Sequence, residues 1–246
     1  MNINILFLYP NMLDLYGDNK NIDILKYRAL KRGIEISIDT YTIGDSKPNF
    51  SKYDLVFLSP SGKVEKKIIT EDLIKYKSDI KKSVESGVFY LLIADGYQLF
   101  GEYYIDNLGE KTNCLDIFKY YSKDTNNKCV GDVVIESEIG KQKVKLLGFE
   151  NHSYETFNVE TPFGKVLYGN GNSYNSGYEG FMIKSVIGTY LHGPLLSKNP
   201  ELADYILKYC LDRKNNKKTE LKKIDDEFEI IAKKEMLDKL LKTSSI

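Results

Sequence analysis

The segment Leu91–Gly101, "LLIADGYQLFG", runs from an apolar stretch directly into residues that favour the start of a helix. We expect a buried strand to end at Ala94 and a helix to follow at once. In α/β proteins such a sharp strand-to-helix corner often presents a nucleophile, and ligands bind at the carboxyl ends of the strands. Here the apex is an alanine, which has no nucleophilic group. The segment therefore predicts an α/β fold with a site at this corner, and it raises the question of whether that site is reactive.

The residues on the amino-terminal side of this corner alternate between strand and helix patterns. Short apolar runs predict strands over 2–10, 34–43, 53–59 and 88–94. Helical spacing predicts one helix over about 21–32, with Leu30 on its apolar stripe and Gly33 just beyond its end. A second helix is expected from Thr70, as its N-cap, to Gly87. This alternation predicts βαβ units, that is, a parallel sheet covered by helices on both faces.

The pattern changes after Gly101, where strands follow one another with little room for helices. Strands are predicted over 129–137, 143–151 and 165–171, as a mixed or antiparallel extension of the sheet. Residues 185–196 predict a strand that leads into a loop. A helix is expected from Pro200 to about Asp212 with Asn199 as its N-cap. We therefore divide the chain into a domain of residues 1–212 and a tail of residues 213–246, which contains a charged linker and an amphipathic helix over about 225–242.

Composition excludes several classes of function. Lys and Arg together number 35, as do Asp and Glu, so no net field attracts nucleic acid or an anionic membrane. No apolar segment reaches the ~20 residues that span a bilayer. The three cysteines form no metal-ligand pattern, and no nucleotide-binding glycine motif is present. These features predict a soluble cytoplasmic protein without metal, cofactor, nucleic-acid partner or membrane insertion.

Several motifs together resemble one known family. They are "LYPNMLDLYGDNKNI" (8–22), "GYQLFGEYY" (96–104), "GDVVIES" (131–137), "GFENH" (148–152), "EGF" (179–181) and "GTYLHGPLL" (188–196). The chain resembles class I glutamine amidotransferases of the cobyric-acid-synthase-like branch, which implies a three-layer, flavodoxin-like core. Within that branch it is most similar to GatD subunits of lipid II isoglutaminyl synthases. The resemblance implies a heterodimer with a MurT-like Mur ligase subunit and a role in amidation of peptidoglycan precursor.

The resemblance also assigns roles to individual residues. In the family, a cysteine at the corner attacks the side-chain amide of glutamine, a histidine relays the proton, and the released ammonia passes to the partner. His192 matches the catalytic histidine, whereas Ala94 stands where the family has the nucleophilic cysteine. Asp95, Gly96 and Gln98 fall in the substrate-binding part of the corner motif. Lys128 takes the place of an arginine that grips the substrate carboxylate.

The departures from the family pattern gather in this one pocket. Asp95 replaces a glycine whose N–H helps to bind the oxyanion, and a carboxylate there is expected to repel negative charge. Lys128 keeps the charge of the arginine but loses its bidentate fork. Residues Ser153–Glu155 replace Gly-Gly-Arg, and 57–67 lacks a Gly-Gly-Gly turn. We therefore predict a subunit that has lost glutaminase activity and acts as a structural or regulatory partner.

Two alternatives remain open. The first is an active glutaminase whose cysteine was replaced by alanine through engineering. The second is a non-catalytic module that binds glutamine or another small amine. Cys129 could supply a displaced thiol, although it is expected to begin a strand, and Cys114 and Cys210 are expected to be core or surface residues.

Two further features have a structural and a functional interpretation. Glu150 could orient a histidine or make a structural hydrogen bond, and His152 is equally open to both interpretations. The terminal helix could be a solvated amphipathic helix or a docking element for the partner.

Overall fold

The computed structural model describes residues 1–13 and 15–243, and its core is a parallel sheet. Its six strands are β1 (Asn2–Leu8), β2 (Glu35–Tyr41), β3 (Leu55–Leu58), β4 (Phe89–Ile93), β11 (Phe181–Ile183) and β12 (Val186–Thr189). They lie in the order β11-β12-β4-β3-β1-β2, and only β11 is antiparallel to its neighbour. Strands β3, β4 and β12 are buried along their whole length, which explains their continuous apolar runs. The predicted α/β fold is confirmed.

The strands between Tyr103 and Glu179 form a second, mixed sheet rather than extending the first. Its six strands are β5 (Tyr103–Ile105), β6 (Lys111–Asn113), β7 (Tyr121–Ile139), β8 (Gln142–Phe157), β9 (Gly164–Tyr168) and β10 (Tyr178–Glu179). The two longest, β7 and β8, pair as a hairpin with a register shift between Asp124 and Cys129. A single bridge between Phe149 and His192 joins this sheet to the loop that follows β12. The second sheet therefore lies against the carboxyl ends of the first, where the site is expected.

Six helices complete the described part of the chain. They are α1 (Lys20–Leu30), α2 (Lys63–Leu73), α3 (Lys77–Glu85), α4 (Asp95–Leu99), α5 (Pro200–Asn215) and α6 (Glu227–Thr243). The first helix buries Ile22, Leu25 and Ala29 as predicted, and Gly33 adopts the left-handed φ of 67° that ends it. Leu30 was wrongly placed on the apolar stripe, since it is exposed on the last turn of the helix.

The predicted helix start at Thr70 is wrong. The helix begins at Lys63, after the extended Gly62, and the Thr70 hydroxyl donates to the carbonyl of Lys66 one turn earlier. Glu65 supplies the acidic residue of the true first turn. The predicted single helix is divided into α2, a short 3-10 turn and α3, which contain its apolar residues Leu73, Tyr76 and Ile80, respectively. Because α2 starts soon after β3, its first turns lie close to the corner at Ala94.

Asn199 precedes α5 as predicted, but its side chain does not cap the helix. Its Oδ1 accepts from the N–H of Leu147, and its Nδ2 donates to the carbonyls of Leu147 and Leu195. This amide therefore ties β8 to the loop that contains His192. A fully buried asparagine can serve in this way because each of its polar atoms has a partner.

The carboxyl-terminal tail lies against the core. The helix α5 ends at Asn215, a little beyond the expected end at Asp212. Buried Arg28 on α1 binds Asp226 through two parallel hydrogen bonds and Asp204 through a third. Helix α6 then covers Val134 and Leu147 of the second sheet with Leu240. The linker and α6 are thus held by a buried guanidinium at one end and by apolar packing at the other.

Candidate functional site

The corner predicted at Ala94 is a strained strand-to-helix turn. Ala94 has φ 49° and ψ −104°, a conformation that L-residues rarely adopt, and it is 6% exposed. Its N–H donates to the carbonyl of Thr189 on the neighbouring strand, and its carbonyl accepts from the N–H of Gln98. Such strain persists where the surrounding structure holds it and is typical of a nucleophile elbow. The geometry of a reactive corner is therefore present, although its side chain is a methyl group.

His192 lies in the same cavity and is held by a buried carboxylate that was not identified from the sequence. Its Nδ1 lies 2.7 Å from Oδ2 of Asp18, which is fully buried, and the other carboxylate oxygen accepts from the N–H of Gly193. Because a carboxylate only accepts, Nδ1 carries the proton. Nε2 is buried and has no hydrogen-bond partner among the described residues. This is the arrangement of a general base that is oriented by an acid, with its free nitrogen available for a nucleophile or ligand.

The position of Asp18 in the chain gives only a general hint of a role in the site. It follows β1 in the motif "LYGDNKN", at the carboxyl end of a parallel strand. From the sequence, this segment belongs to a motif that carries the family resemblance, but Asp18 was given no role in the site. Nothing in the segment itself indicates a contact with His192, which lies 174 residues further along the chain.

A cavity of about 450 Å³ joins these residues. Ala94, Asp95, Gln98, Lys128 and His192, five of the six predicted site residues, line it. The remaining lining residues are Leu15, Tyr16, Pro60, Ser61, Lys63, Lys66, Val130, Asn151, His152, Ser153 and Tyr154. The structure thus brings together the residues that the sequence placed in one pocket, and it adds Lys66 and Ser61 to them.

The carboxylate of Asp95 is not free, which corrects the expectation that it would repel negative charge in the pocket. Its Oδ2 accepts from the backbone N–H of Ser61 at 2.9 Å and from the hydroxyl of Ser61 at 3.2 Å. Its Oδ1 lies 3.2 Å from the ammonium of Lys66. The charge of Asp95 is therefore largely compensated by partners on the loop after β3 and on α2.

Lys66 is the buried centre of this cluster. Its side chain is 2% exposed, and its ammonium also donates to Oε1 of Gln98. The ring centroids of Tyr104 and Tyr154 lie 4.1 and 3.8 Å from the ammonium nitrogen. Burial lowers the pKa of Lys66, and the carboxylate of Asp95 opposes that change. No sequence signal indicates this role, because Lys66 belongs to a run of charged residues that is typical of a solvated helix.

Gln98 and Gly96 serve the architecture of the corner. Gln98 is buried, accepts from Lys66 and donates to the hydroxyl of Tyr190, so both ends of its amide already have protein partners. Gly96 lies against β3: a Cβ there would be 2.8 Å from the carbonyl oxygen of Leu58. This close approach requires glycine whatever the chemistry of the site.

Lys128 and Cys129 are successive residues of β7, and their side chains face opposite ways. Lys128 and Val130 line the cavity, whereas the Cys129 side chain is fully buried. Burial raises the pKa of the Cys129 thiol to about 11, and Glu150 and Glu155 add to this change. A buried thiol that stays protonated is a poor nucleophile, which argues against a displaced thiol. Burial also raises the pKa of the Cys114 thiol, to about 12, and that of the Cys210 thiol.

His152 lines the cavity, and Glu150 supports a neighbouring loop. The Nδ1 of His152 lies 2.6 Å from the carbonyl oxygen of Tyr154, and its ring stacks on Tyr190 at 3.9 Å. Glu150 accepts three hydrogen bonds from the N–H groups of Asn170 and Gly171 and from the Asn170 amide. Its distance of 3.8 Å from Nε2 of His152 is longer than a hydrogen bond. The structural role of Glu150 is thus the one the contacts favour.

Glu179 supports the end of β12 just before His192 and gives a prediction for pH dependence. It is fully buried and accepts from the N–H of Tyr190 and the hydroxyl of Thr189. Burial raises its pKa from 4.5 to about 8, although these hydrogen bonds oppose the change. Between about pH 4.5 and pH 8 the folded protein therefore keeps a proton that the unfolded chain releases, and the free energy of unfolding falls as the pH rises through this range.

The variant Glu179→Gln has no titratable group at this position. We expect its free energy of unfolding, relative to that of the parent chain, to rise by about 1.4 kcal/mol per pH unit between about pH 5 and pH 8. Urea unfolding of both chains at several pH values measures the difference. A difference that stays constant with pH would contradict this prediction.

The described residues contain no group of three or more His, Cys, Asp or Glu side chains that could hold a metal ion. Over the same residues, no helix has the length and apolarity needed to cross a bilayer.

Comparison with known proteins finds relatives of the kind that the sequence motifs resemble. The sequence profile of the CobB/CobQ-like glutamine amidotransferase domain matches residues 4–200. The GatD subunit of the glutamine-hydrolysing lipid II isoglutaminyl synthase of Streptococcus pneumoniae is 35% identical over 227 residues, 91% of this chain and 86% of that protein. The corresponding subunit of Staphylococcus aureus is 35% identical over 238 residues, 96% of each chain. A crystal structure of a glutamine amidotransferase shares the fold, with a TM-score of 0.54 and 12% identity over 83% of this chain and 98% of that one.

Proposed function

Because this chain belongs to the CobB/CobQ-like glutamine amidotransferase family, we propose that it is a GatD-like subunit that has lost glutamine hydrolysis. It pairs in the cytoplasm with a MurT-like Mur ligase subunit that amidates the peptidoglycan precursor lipid II. Its contribution to that heterodimer is structural or regulatory, and the ammonia comes from solution or from another source.

One observation carries this proposal: the strained turn of the elbow is present, but the residue at its apex has no nucleophilic group. Ala94 retains the strained turn, and His192 with Asp18 retains a proton acceptor in the same cavity. A methyl group cannot form the thioester through which this chemistry proceeds. The Asp95–Lys66 pair further supports a natural loss, because a single engineered replacement of cysteine would leave the rest of the pocket unchanged.

The test is co-expression with the MurT-like subunit of the same genome, followed by amidation of lipid II with either ammonium chloride or glutamine as the nitrogen source. We expect the two subunits to purify together and ammonium to support amidation while glutamine does not. Equal amidation from glutamine would overturn the loss of glutaminase activity. Failure of the two subunits to associate would overturn the partnership.

The binding module remains the second candidate, and one observation favours it. Nε2 of His192 is buried in the cavity without a partner among the described residues, and a buried nitrogen of this kind usually has one. Glutamine retained without hydrolysis would supply such a partner. Calorimetric titration with glutamine tests this candidate, and no heat at millimolar concentration would count against it.

We also propose that residues 213–246 include the docking element for the ligase subunit. In helix α6 the side chains of Phe228 and Ile231, one turn apart, are 84 and 48% exposed, although the opposite side of the helix packs on the core. Apolar side chains clustered in this way on a surface helix are typical of a protein interface.

The double variant Phe228→Glu, Ile231→Glu is expected to weaken association with the ligase at least about tenfold, since two buried apolar contacts of about 1 kcal/mol or more are lost. Co-purification and surface plasmon resonance measure this change. Leu108→Glu is the matched control, because Leu108 is equally exposed, at 85%, on the turn between β5 and β6. Equal loss in both variants would contradict a docking role for α6.

A further inference from the structure

The contacts of Asp95 lie where an oxyanion site is built in proteins with this kind of elbow. Such a site uses the backbone N–H of the residue after the nucleophile and a second N–H from the loop that follows the third strand. In this chain the residue after the elbow is Asp95, and the loop after β3 contains Ser61. The N–H of Ser61 is directed at the Asp95 carboxylate, with 2.9 Å between its nitrogen and Oδ2. A carboxylate of the protein itself therefore takes up a donor that would otherwise be available to an anion.

The surroundings of that carboxylate form a complete anion site. The hydroxyl of Ser61 lies 3.2 Å from Oδ2, and the ammonium of Lys66 lies 3.2 Å from Oδ1. Ser61 is 7% exposed and the Lys66 side chain 2% exposed, so both donors are withdrawn from solvent. The rings of Tyr104 and Tyr154 cover the ammonium. Buried donors and a buried cation of this kind are costly without an anion among them.

We propose that Asp95 is a built-in ligand that occupies the anion site of this pocket, with Lys66 as its counter-ion. The inference rests on the proposed loss of glutaminase activity and extends it. The site would accept a small carboxylate from solution once the Asp95 side chain is removed. The elbow, the loop after β3 and α2 thus form a self-occupied anion site, in place of one that stabilises a reaction intermediate.

The experiment is rescue by formate, the smallest carboxylate. The variant Asp95→Gly leaves Lys66 and the Ser61 donors without an anion. We expect about 100 mM sodium formate to reduce the unfolding equilibrium constant of this variant at least about tenfold relative to sodium chloride at the same ionic strength. Formate is expected to leave the unfolding of the parent chain unchanged, because Asp95 already fills the site.

Two further variants keep the test decisive. The double variant Lys66→Met, Asp95→Gly has the same space but no cation, and formate is expected to have no effect on it. Asp95→Ser is smaller than aspartate and uncharged, so it provides a second vacated site if Asp95→Gly does not fold. Formate that stabilises all variants equally, or none of them, would overturn the self-occupied site. That result is distinct from amidation supported by glutamine, which would overturn the proposed function instead.

Discussion

Ala94→Cys is expected to hydrolyse glutamine no more than about tenfold faster than the chain with alanine, whereas a restored working triad would gain about 10³-fold or more. The new thiol would lie in the same cavity as the His192–Asp18 pair, which can activate it. The limit on catalysis is the rest of the pocket. The Asp95 carboxylate accepts the hydrogen bond from the N–H of Ser61, so this N–H cannot stabilise the oxyanion of the tetrahedral intermediate.

Two reagents separate reactivity of the introduced thiol from recognition of glutamine. Iodoacetamide is small and reports only whether that thiol is accessible and ionised. An electrophilic glutamine analogue must also be held by the pocket. We expect Ala94→Cys to be alkylated at position 94 by iodoacetamide but not by the analogue, as measured by mass spectrometry. Rapid glutamine hydrolysis by this variant would show that the pocket is intact and that the alanine alone prevents activity.

Asp95→Ala is expected to lower the free energy of unfolding by about 3–5 kcal/mol, because it leaves a buried ammonium without its partner. Lys66 is 2% exposed, and the rings of Tyr104 and Tyr154 pack against its ammonium. The double variant Lys66→Met, Asp95→Ala removes both charges together. We expect it to lose less stability than the sum of the two single variants, and urea unfolding of the four chains gives this coupling.

The control for this cycle is the neighbouring pair of Lys67 and Glu110. Their side chains are 54 and 60% exposed and their charged atoms are 3.3 Å apart. Exposed pairs contribute little to stability, so Lys67→Met and Glu110→Ala are expected to leave the unfolding midpoint nearly unchanged. Additive losses for Lys66 and Asp95, as for this control, would contradict a coupled buried pair.

Much of the first sheet was predictable from the sequence, for a physical reason. Its central strands are buried on both faces, so they appear as uninterrupted apolar runs bounded by turns. The second sheet was only partly predictable. In β7 and β8, strands of 19 and 16 residues, polar and apolar residues alternate irregularly, and the short β5 and β6 carry no periodicity at all. Strand ends in such a sheet depend on pairing between distant segments.

The candidate site was predictable where its residues belong to motifs. Ala94 and His192 were expected in one pocket, and both line the same cavity, because each follows a parallel strand of the first sheet. Asp18 and Lys66 were missed. Their partners, His192 and Asp95, are distant in sequence, so neither contact has a local signature. The charge of Asp95 was interpreted in isolation, and only the three-dimensional arrangement shows that Ser61 and Lys66 compensate it.

Loss of glutamine hydrolysis is the property on which the proposed role of this subunit depends. The most direct measurement is the release of glutamate and ammonia from glutamine by the purified chain in the presence of the proposed MurT-like ligase subunit, with the GatD subunit of Staphylococcus aureus as the positive control. We predict no release above the level of a chain in which His192 is replaced by alanine. Release that exceeds this level would contradict the loss of activity, and mass-spectrometric trapping of the acyl-enzyme would then identify the nucleophile, with Cys129 as the first residue to examine.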